Sequence, residues 1–166
     1  MTKECYERMT GMFRDDPKRT CLLHRLNQIC TWTVMAAYGI LLFTGVIQRS
    51  QNLYRNILVP FDSFIVVTVL RILVNRKRPY EEFGIAPVIP KETRGKSFPS
   101  RHVFSAFVIA MTYLCNTIWW GIGVILVVLS VLIAAIRVVS GVHYISDVVI
   151  GAICGIAAGV AGYLIW

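Results

Sequence analysis

Charge is scarce in this chain, and acidic charge scarcer still. Of 166 residues 16% are charged, with nine Asp and Glu against 17 Lys and Arg, a formal net charge of +8. Hydrophobic residues make up 56%, and the mean hydropathy is +0.63. Such a chain has too much apolar side chain to stay disordered and too much to be an ordinary cytosolic enzyme. The five cysteines are an odd number with no C-x-x-C pair, and Cys30, Cys115 and Cys154 fall inside apolar runs. They read as small apolar fillers rather than disulfides or metal ligands. The first 28 residues lack the short apolar core of a cleavable signal peptide, so insertion is expected through the first true span.

Five apolar stretches are present, at residues 29–47, 56–74, 100–115, 118–139 and 147–166. Each is near the roughly 20 residues that a bilayer span needs. Their few charges, Asp62 apart, cluster at the ends and form basic collars. Residues 1–28 mix six basic and four acidic side chains with Tyr6, Met9, Met12, Phe13, Leu22, Leu23 and Leu26. That pattern fits an amphipathic helix lying on the membrane surface, interrupted at Asp15-Asp16-Pro17. The expected fold is therefore all-α: an integral membrane helical bundle of about five transmembrane helices plus an N-terminal amphipathic helix. Residues 1–166 are expected to form one membrane domain, with 1–28 as the interfacial segment and 29–166 as the transmembrane core, and no separate soluble domain is expected within them. The partner is the lipid bilayer, and no nucleic acid is expected.

Short links at 48–55 and 116–117 make antiparallel hairpins, whereas 75–99 is one long polar loop and 140–146 a short one. Alternation of the spans puts those last two loops on the same side. In the last stretch Gly151, Gly155 and Gly159, with Gly162 nearby, leave a smooth groove for a close neighbour. Packing within the chain is the preferred reading, and a homo-oligomer is left open. Trp119, Trp120 and Trp166 stand at span ends as interfacial aromatics do.

Ionisable residues at span ends on one face of a bundle are functional candidates. Here they converge. Arg71 and Arg78-Pro79 lie at and just beyond the end of the second span, Pro99-Ser100-Arg101-His102 opens the third, and Arg137, His143 and Asp147 bracket the turn from the fourth to the fifth. Three arginines, a serine hydroxyl and the free N–H groups of a helix start make a cage for a tetrahedral oxyanion, because guanidinium forks match phosphate oxygens and helix N-termini favour anions. Two histidines supply a nucleophile and a proton donor, and a carboxylate four residues after His143 can hold its imidazole in the attacking tautomer. Two His and one Asp are also plausible zinc ligands, but the surrounding arginines repel a cation, so neither metal nor cofactor is expected. Taken singly each residue has a plainer reading: Arg71 as a snorkelling side chain, His102 or Asp147 as a helix cap, Arg137 as an anchor. His24 lacks a partner pattern and reads as a surface residue.

The three blocks resemble the signature of the type 2 phosphatidic acid phosphatase superfamily, K-x6-R-P, P-S-G-H and S-R-x5-H-x3-D, in order and at matching internal spacing. The resemblance implies a membrane lipid phosphate or diphosphate phosphatase that works without metal through a phosphohistidine. It implies that His143 attacks phosphorus, that Asp147 orients it, and that His102 protonates the leaving oxygen and then activates water. Arg71, Arg78, Arg137, Ser100 and the backbone at Arg101 would bind phosphate. Three departures stand out: Arg71 in place of Lys, Arg101 in place of Gly, and Ile136 in place of Ser, which removes a possible hydrogen bond to phosphate. The alternative that these departures raise is a catalytically silent phospholipid-binding or scaffold protein. The family core usually has six spans, one more than is found here.

Lys91, Arg94 and Lys96 with Arg76 and Lys77 form a basic rim suited to an anionic head group. Candidate substrates are phosphatidic acid, phosphatidylglycerophosphate and polyprenyl diphosphate. Family precedent implies the outer face of a bacterial cytoplasmic membrane, while the six basic residues of the N-terminal segment and six of the 75–99 loop, against Arg49 and Arg55 opposite, favour a cytoplasmic site. The face of the active site stays open.

Overall fold

The computed structural model describes residues 2–116 and 118–165; Met1, Thr117 and Trp166 lie outside, and with them part of the expected 116–117 link and the last interfacial tryptophan. The elements in order are α1 (Lys3–Arg14), α2 (Pro17–Ile47), α3 (Leu53–Val74), α4 (Pro79–Phe83), α5 (Arg101–Leu114), α6 (Trp120–Val139) and α7 (Ile145–Ile165). Among them α2, α3, α6 and α7 are long and apolar enough to cross a membrane. The protein is an integral membrane helical bundle.

The third apolar stretch behaves differently from the other four. At 1.5 Å rise per residue, the 14 residues of α5 reach about 21 Å, short of the roughly 30 Å hydrocarbon core. The helix is enclosed by α2, α3, α6 and α7, and Val103, Phe104, Phe107, Val108 and Ala110 are all buried. An all-round apolar helix is what a central position demands.

The expected interfacial segment 1–28 needs correction. The break falls where expected, with the Asp16 side chain accepting from the Lys18 N–H at 2.9 Å and Pro17 opening the next helix. Only α1 stands apart, however; residues 17–28 are the first turns of the 31-residue α2. Its buried Leu23, Asn27, Cys30 and Val34 keep one ridge towards the bundle while Lys18, Arg19 and Arg25 face outward, so charge on one side does not end the helix. At about 46 Å the helix exceeds the bilayer core, and its first turns rise beside the 75–99 loop. There Leu23 joins Val88, Ile89 and Ile136 in a small apolar cluster.

The glycine groove of α7 is used within the chain. An added Cβ at Gly151 would lie 2.8 Å from the Ser100 carbonyl oxygen, and one at Gly155 would lie 2.7 Å from the Phe104 carbonyl oxygen and 2.8 Å from Phe107 Cβ. This close approach sets the start of α7 against the start of α5. Gly155→Ala is expected to cost about 1–3 kcal/mol by overpacking, measured as a lower Tm in detergent. Gly39→Ala, at a position in α2 with open space around it, should be neutral or stabilising; equal losses at both sites would contradict the packing account.

Candidate active site

Four chain segments meet at one end of the bundle: the end of α3, the 75–99 loop, the start of α5, and the turn from α6 into α7. The long loop is folded by few bonds. Glu81, in the first turn of α4, accepts from the Arg78 N–H at 2.8 Å and from the Gly95 N–H at 2.9 Å, tying the two sides of the loop together. The Arg78 Nε donates to the Gly95 carbonyl at 3.1 Å. Ser97 N–H donates to Arg76 O at 2.9 Å, Val88 N–H to Ser140 O at 3.0 Å, and Ser100 N–H to Asp147 O at 2.9 Å, so loop, turn and α5 start are one hydrogen-bonded body.

The turn itself is clamped from outside. Gly141 sits at φ +73, a left-handed conformation that glycine adopts without strain, and a Cβ there would overlap the Tyr6 ring. The fully buried Tyr6 donates its hydroxyl to the Gly141 carbonyl at 3.1 Å, and its ring lies 5.3 Å from Phe83. Thus α1 packs on the turn that carries His143.

Arg71, Arg78, His102, Arg137 and His143 line one cavity of about 220 Å³. Arg71 also donates to the Pro99 carbonyl, so the guanidinium that replaces the expected ammonium reaches across and holds the loop before α5. Ser100 is fully buried, and its Oγ, like the Nε of buried Arg137, has no hydrogen-bond partner among the described residues. Unpartnered buried donors are costly unless a ligand satisfies them. Lys91 and Lys96 of the basic rim join this cavity, whereas Lys77 and Arg94 line a separate outer cleft with Tyr80 and Glu81. Burial, then the neighbouring Arg78, Arg137, Arg101 and Arg71, press the Lys91 ammonium below its ordinary range. The concentrated positive potential suits an anion.

Asp147 is fully buried at the start of α7. One oxygen takes the Arg76 guanidinium at 2.8 Å; the other accepts the Ser97 hydroxyl and the Tyr144 N–H at 3.1 Å, and lies 3.5 Å from His143 Nδ1. Ser97 Oγ is itself 3.3 Å from His143 Nδ1, so the hydroxyl sits between carboxylate and imidazole. Arg76 leaves the expected rim: it bonds Ser146 Oγ at 2.8 Å and stacks 4.2 Å from the Tyr144 ring. The sequence reading missed Ser97 and assigned Arg76 to the rim rather than to Asp147. Nothing in their local sequence names a partner 71 or 50 residues away, though Ser97 does stand just before the Pro99-Ser100 block.

With Nδ1 engaged, His143 presents Nε2 to the cavity. Burial, opposed by Asp147 and reinforced by Arg78 and Arg137, pulls the imidazole down to about 4, so it is neutral at pH 7. A ring titration of ¹⁵N-histidine-labelled protein, assigned with His143→Ala, should place this group below 5 rather than near 6.5. The unfolded chain then binds the extra proton first, so stability should fall as pH drops from about 7 towards 4. Titration between 6 and 7 would contradict the burial argument.

Arg101 is exposed, its guanidinium resting 5.7 Å from the Phe64 ring. His102 follows it and also lines a second, mainly apolar groove of about 300 Å³ with Val34, Met35, Ile109 and Ile133. Ile136 does not face the phosphate cage: it is buried in the apolar cluster with Leu23, Val88 and Ile89. A side chain at this position packs among apolar neighbours and does not line the cavity, so the expected loss of a hydrogen bond to phosphate does not arise from Ile136.

The model of the PAP2 superfamily matches residues 53–166. YbjG of Escherichia coli K12, whose name places it provisionally among undecaprenyl-diphosphatases, is 39% identical over 70 residues, covering 42% of this chain and 35% of its own length. The chain thus spans about a third of that curated relative. LpxE from Aquifex aeolicus superposes with a TM-score of 0.75 at 25% identity, over 98% of this chain and 94% of its own. A PAP2 type phosphatidylglycerolphosphate phosphatase from Bacillus subtilis superposes with a TM-score of 0.73 at 20% identity, over 98% and 85%.

Proposed function

Because this chain belongs to the PAP2 superfamily, we propose that it is a lipid phosphate or diphosphate phosphatase of a bacterial cytoplasmic membrane, acting through a phosphohistidine at His143. The observation that carries the reading is the convergence of three arginines and two histidines on one small cavity, with His143 Nδ1 backed by Asp147 and Ser97. In the proposed reaction His143 Nε2 attacks phosphorus, and the bond to the lipid oxygen breaks. Arg71, Arg78, Arg137, the Ser100 hydroxyl and the N–H groups opening α5 take the charge of the equatorial oxygens. The negative phosphate offsets the burial and the neighbouring Arg137 and Lys91 that hold the His102 imidazole down to about 3, so His102 takes up a proton as substrate binds. It gives that proton to the leaving oxygen, then removes one from a water that attacks the phosphohistidine, and the sum is one ester or anhydride bond hydrolysed and inorganic phosphate released. No step calls for a metal, and the arginine cage disfavours one.

Where the lipid goes supports the same reading. His102 borders both the polar cavity and the apolar groove, so a phosphate in the first places its leaving group at the mouth of the second. The names of the relatives span lipid phosphate and diphosphate chemistry, which fits this arrangement. The test is phosphate release by purified protein in detergent micelles containing phosphatidic acid, phosphatidylglycerophosphate or a polyprenyl diphosphate, with EDTA present. Release on at least one lipid is expected. Lipid binding without release on any would favour the silent binder.

A further inference from the structure

Arg101 and His102 are the two residues that line both the phosphate cavity and the apolar groove. This position has chemical meaning. The leaving oxygen faces His102, so whatever is bonded to that oxygen lies where cavity and groove meet, beside Arg101. A lipid monophosphate places a neutral ester carbon there, which an arginine gains little by meeting. A lipid diphosphate places a second phosphoryl group there, with oxygens that a guanidinium fork can grip.

The state of Arg101 fits the second case. Its side chain is exposed, and among the described residues it has no hydrogen-bond or ion-pair partner, its guanidinium lying only against the Phe64 ring of the groove wall. Arg71, Arg78 and Arg137, by contrast, are all buried. Three cage arginines already face the phosphoryl group under attack, so a fourth at the groove mouth serves the group that leaves.

Resting on the phosphatase reading above, we infer that Arg101 is a specificity-determining residue that binds the departing phosphate of a lipid diphosphate, making diphosphates the preferred substrate class. The reaction is then attack of His143 on the terminal phosphorus and rupture of its bond to the bridging oxygen. The lipid monophosphate leaves against Arg101, and water afterwards frees inorganic phosphate from His143. One anhydride bond is hydrolysed and no other reactant is required.

The test compares farnesyl diphosphate with farnesyl monophosphate, in the wild type and in Arg101→Gly and Arg101→Lys. In the wild type kcat/KM should favour the diphosphate. The ratio of the two values should fall about 10- to 100-fold in Arg101→Gly, as expected for loss of a charge-assisted contact, and recover in part in Arg101→Lys. Diphosphate affinity measured in a His143→Ala background should weaken on Arg101→Gly, giving a readout apart from turnover. A wild type that prefers the monophosphate, or a ratio unchanged by Arg101→Gly, overturns the inference and leaves the phosphatase reading standing. Turnover of neither lipid nor the phospholipids above overturns that reading as well.

Discussion

Replacing His102 with alanine is expected to lower steady-state turnover by about 10²- to 10⁴-fold, the usual worth of a placed general acid and base, and with a lipid diphosphate a phosphoryl group should accumulate on His143. The two halves of the reaction make different demands on His102. For a lipid monophosphate the departing alkoxide needs its proton, so both halves slow and little label builds up. For a diphosphate the departing group is a phosphate with a second pKa of about 6, which leaves without that help. The second half still needs a base to activate water. His102→Ala should therefore show a burst of one lipid monophosphate per protein from a diphosphate, followed by a stall. His102 stands at the accessible junction of cavity and groove, away from the packed centre, so the variant should fold. Rapid-quench kinetics would show the burst; equal slowing of the first turnover and all later ones would argue against the base role.

Asp147→Asn should be nearly as damaging, at about 10²- to 10⁴-fold, by analogy with the buried carboxylate of a serine-protease triad. The carboxylate is fully buried and accepts from Arg76, Ser97 and the Tyr144 N–H while facing His143. Asparagine keeps the shape but offers one acceptor oxygen and an NH₂, so one of two opposed sets of donors loses its partner. If the NH₂ turns towards His143, it stabilises the tautomer whose Nε2 carries the proton and cannot attack. Arg76→Gln tests the other side of the carboxylate. Arg76 is partly solvent-exposed, so its ion pair is screened and its loss should cost far less than Asp147→Asn. Equal effects of the two substitutions would mean that Asp147 serves the fold rather than the imidazole.

The legible parts of this protein were those written locally. Four of the five expected spans declared themselves by length and apolarity, the α1–α2 break by Asp16-Pro17, and the residues that meet in one cavity by three blocks whose residue types match one chemistry. The short α4 also had its signals, with Pro79 at its start, Glu81 and Glu82 in the first turn and Gly84 after its end, but lay hidden in a stretch read as loop. What local reading could not supply was the third dimension. The outward charges of α2 resembled a membrane-surface helix because the ridge from Leu23 to Val34 runs on past residue 28, so only part of it falls within residues 1–28. Ile136 looked like a catalytic deficit beside Arg137, yet adjacent residues on a helix point about 100° apart. Arg76 and Ser97 became part of the site only when the loop folded onto the start of α7.

The central claim is covalent chemistry at His143, and trapping tests it most directly. His102→Ala protein mixed with a lipid diphosphate carrying ³²P in the terminal phosphate, then quenched in base and digested, should yield label on the peptide containing His143. The same treatment of a His102→Ala, His143→Ala double variant should yield none. Phosphate release by the wild type with no label at His143 in the His102 variant, or label on any other residue, would contradict the account.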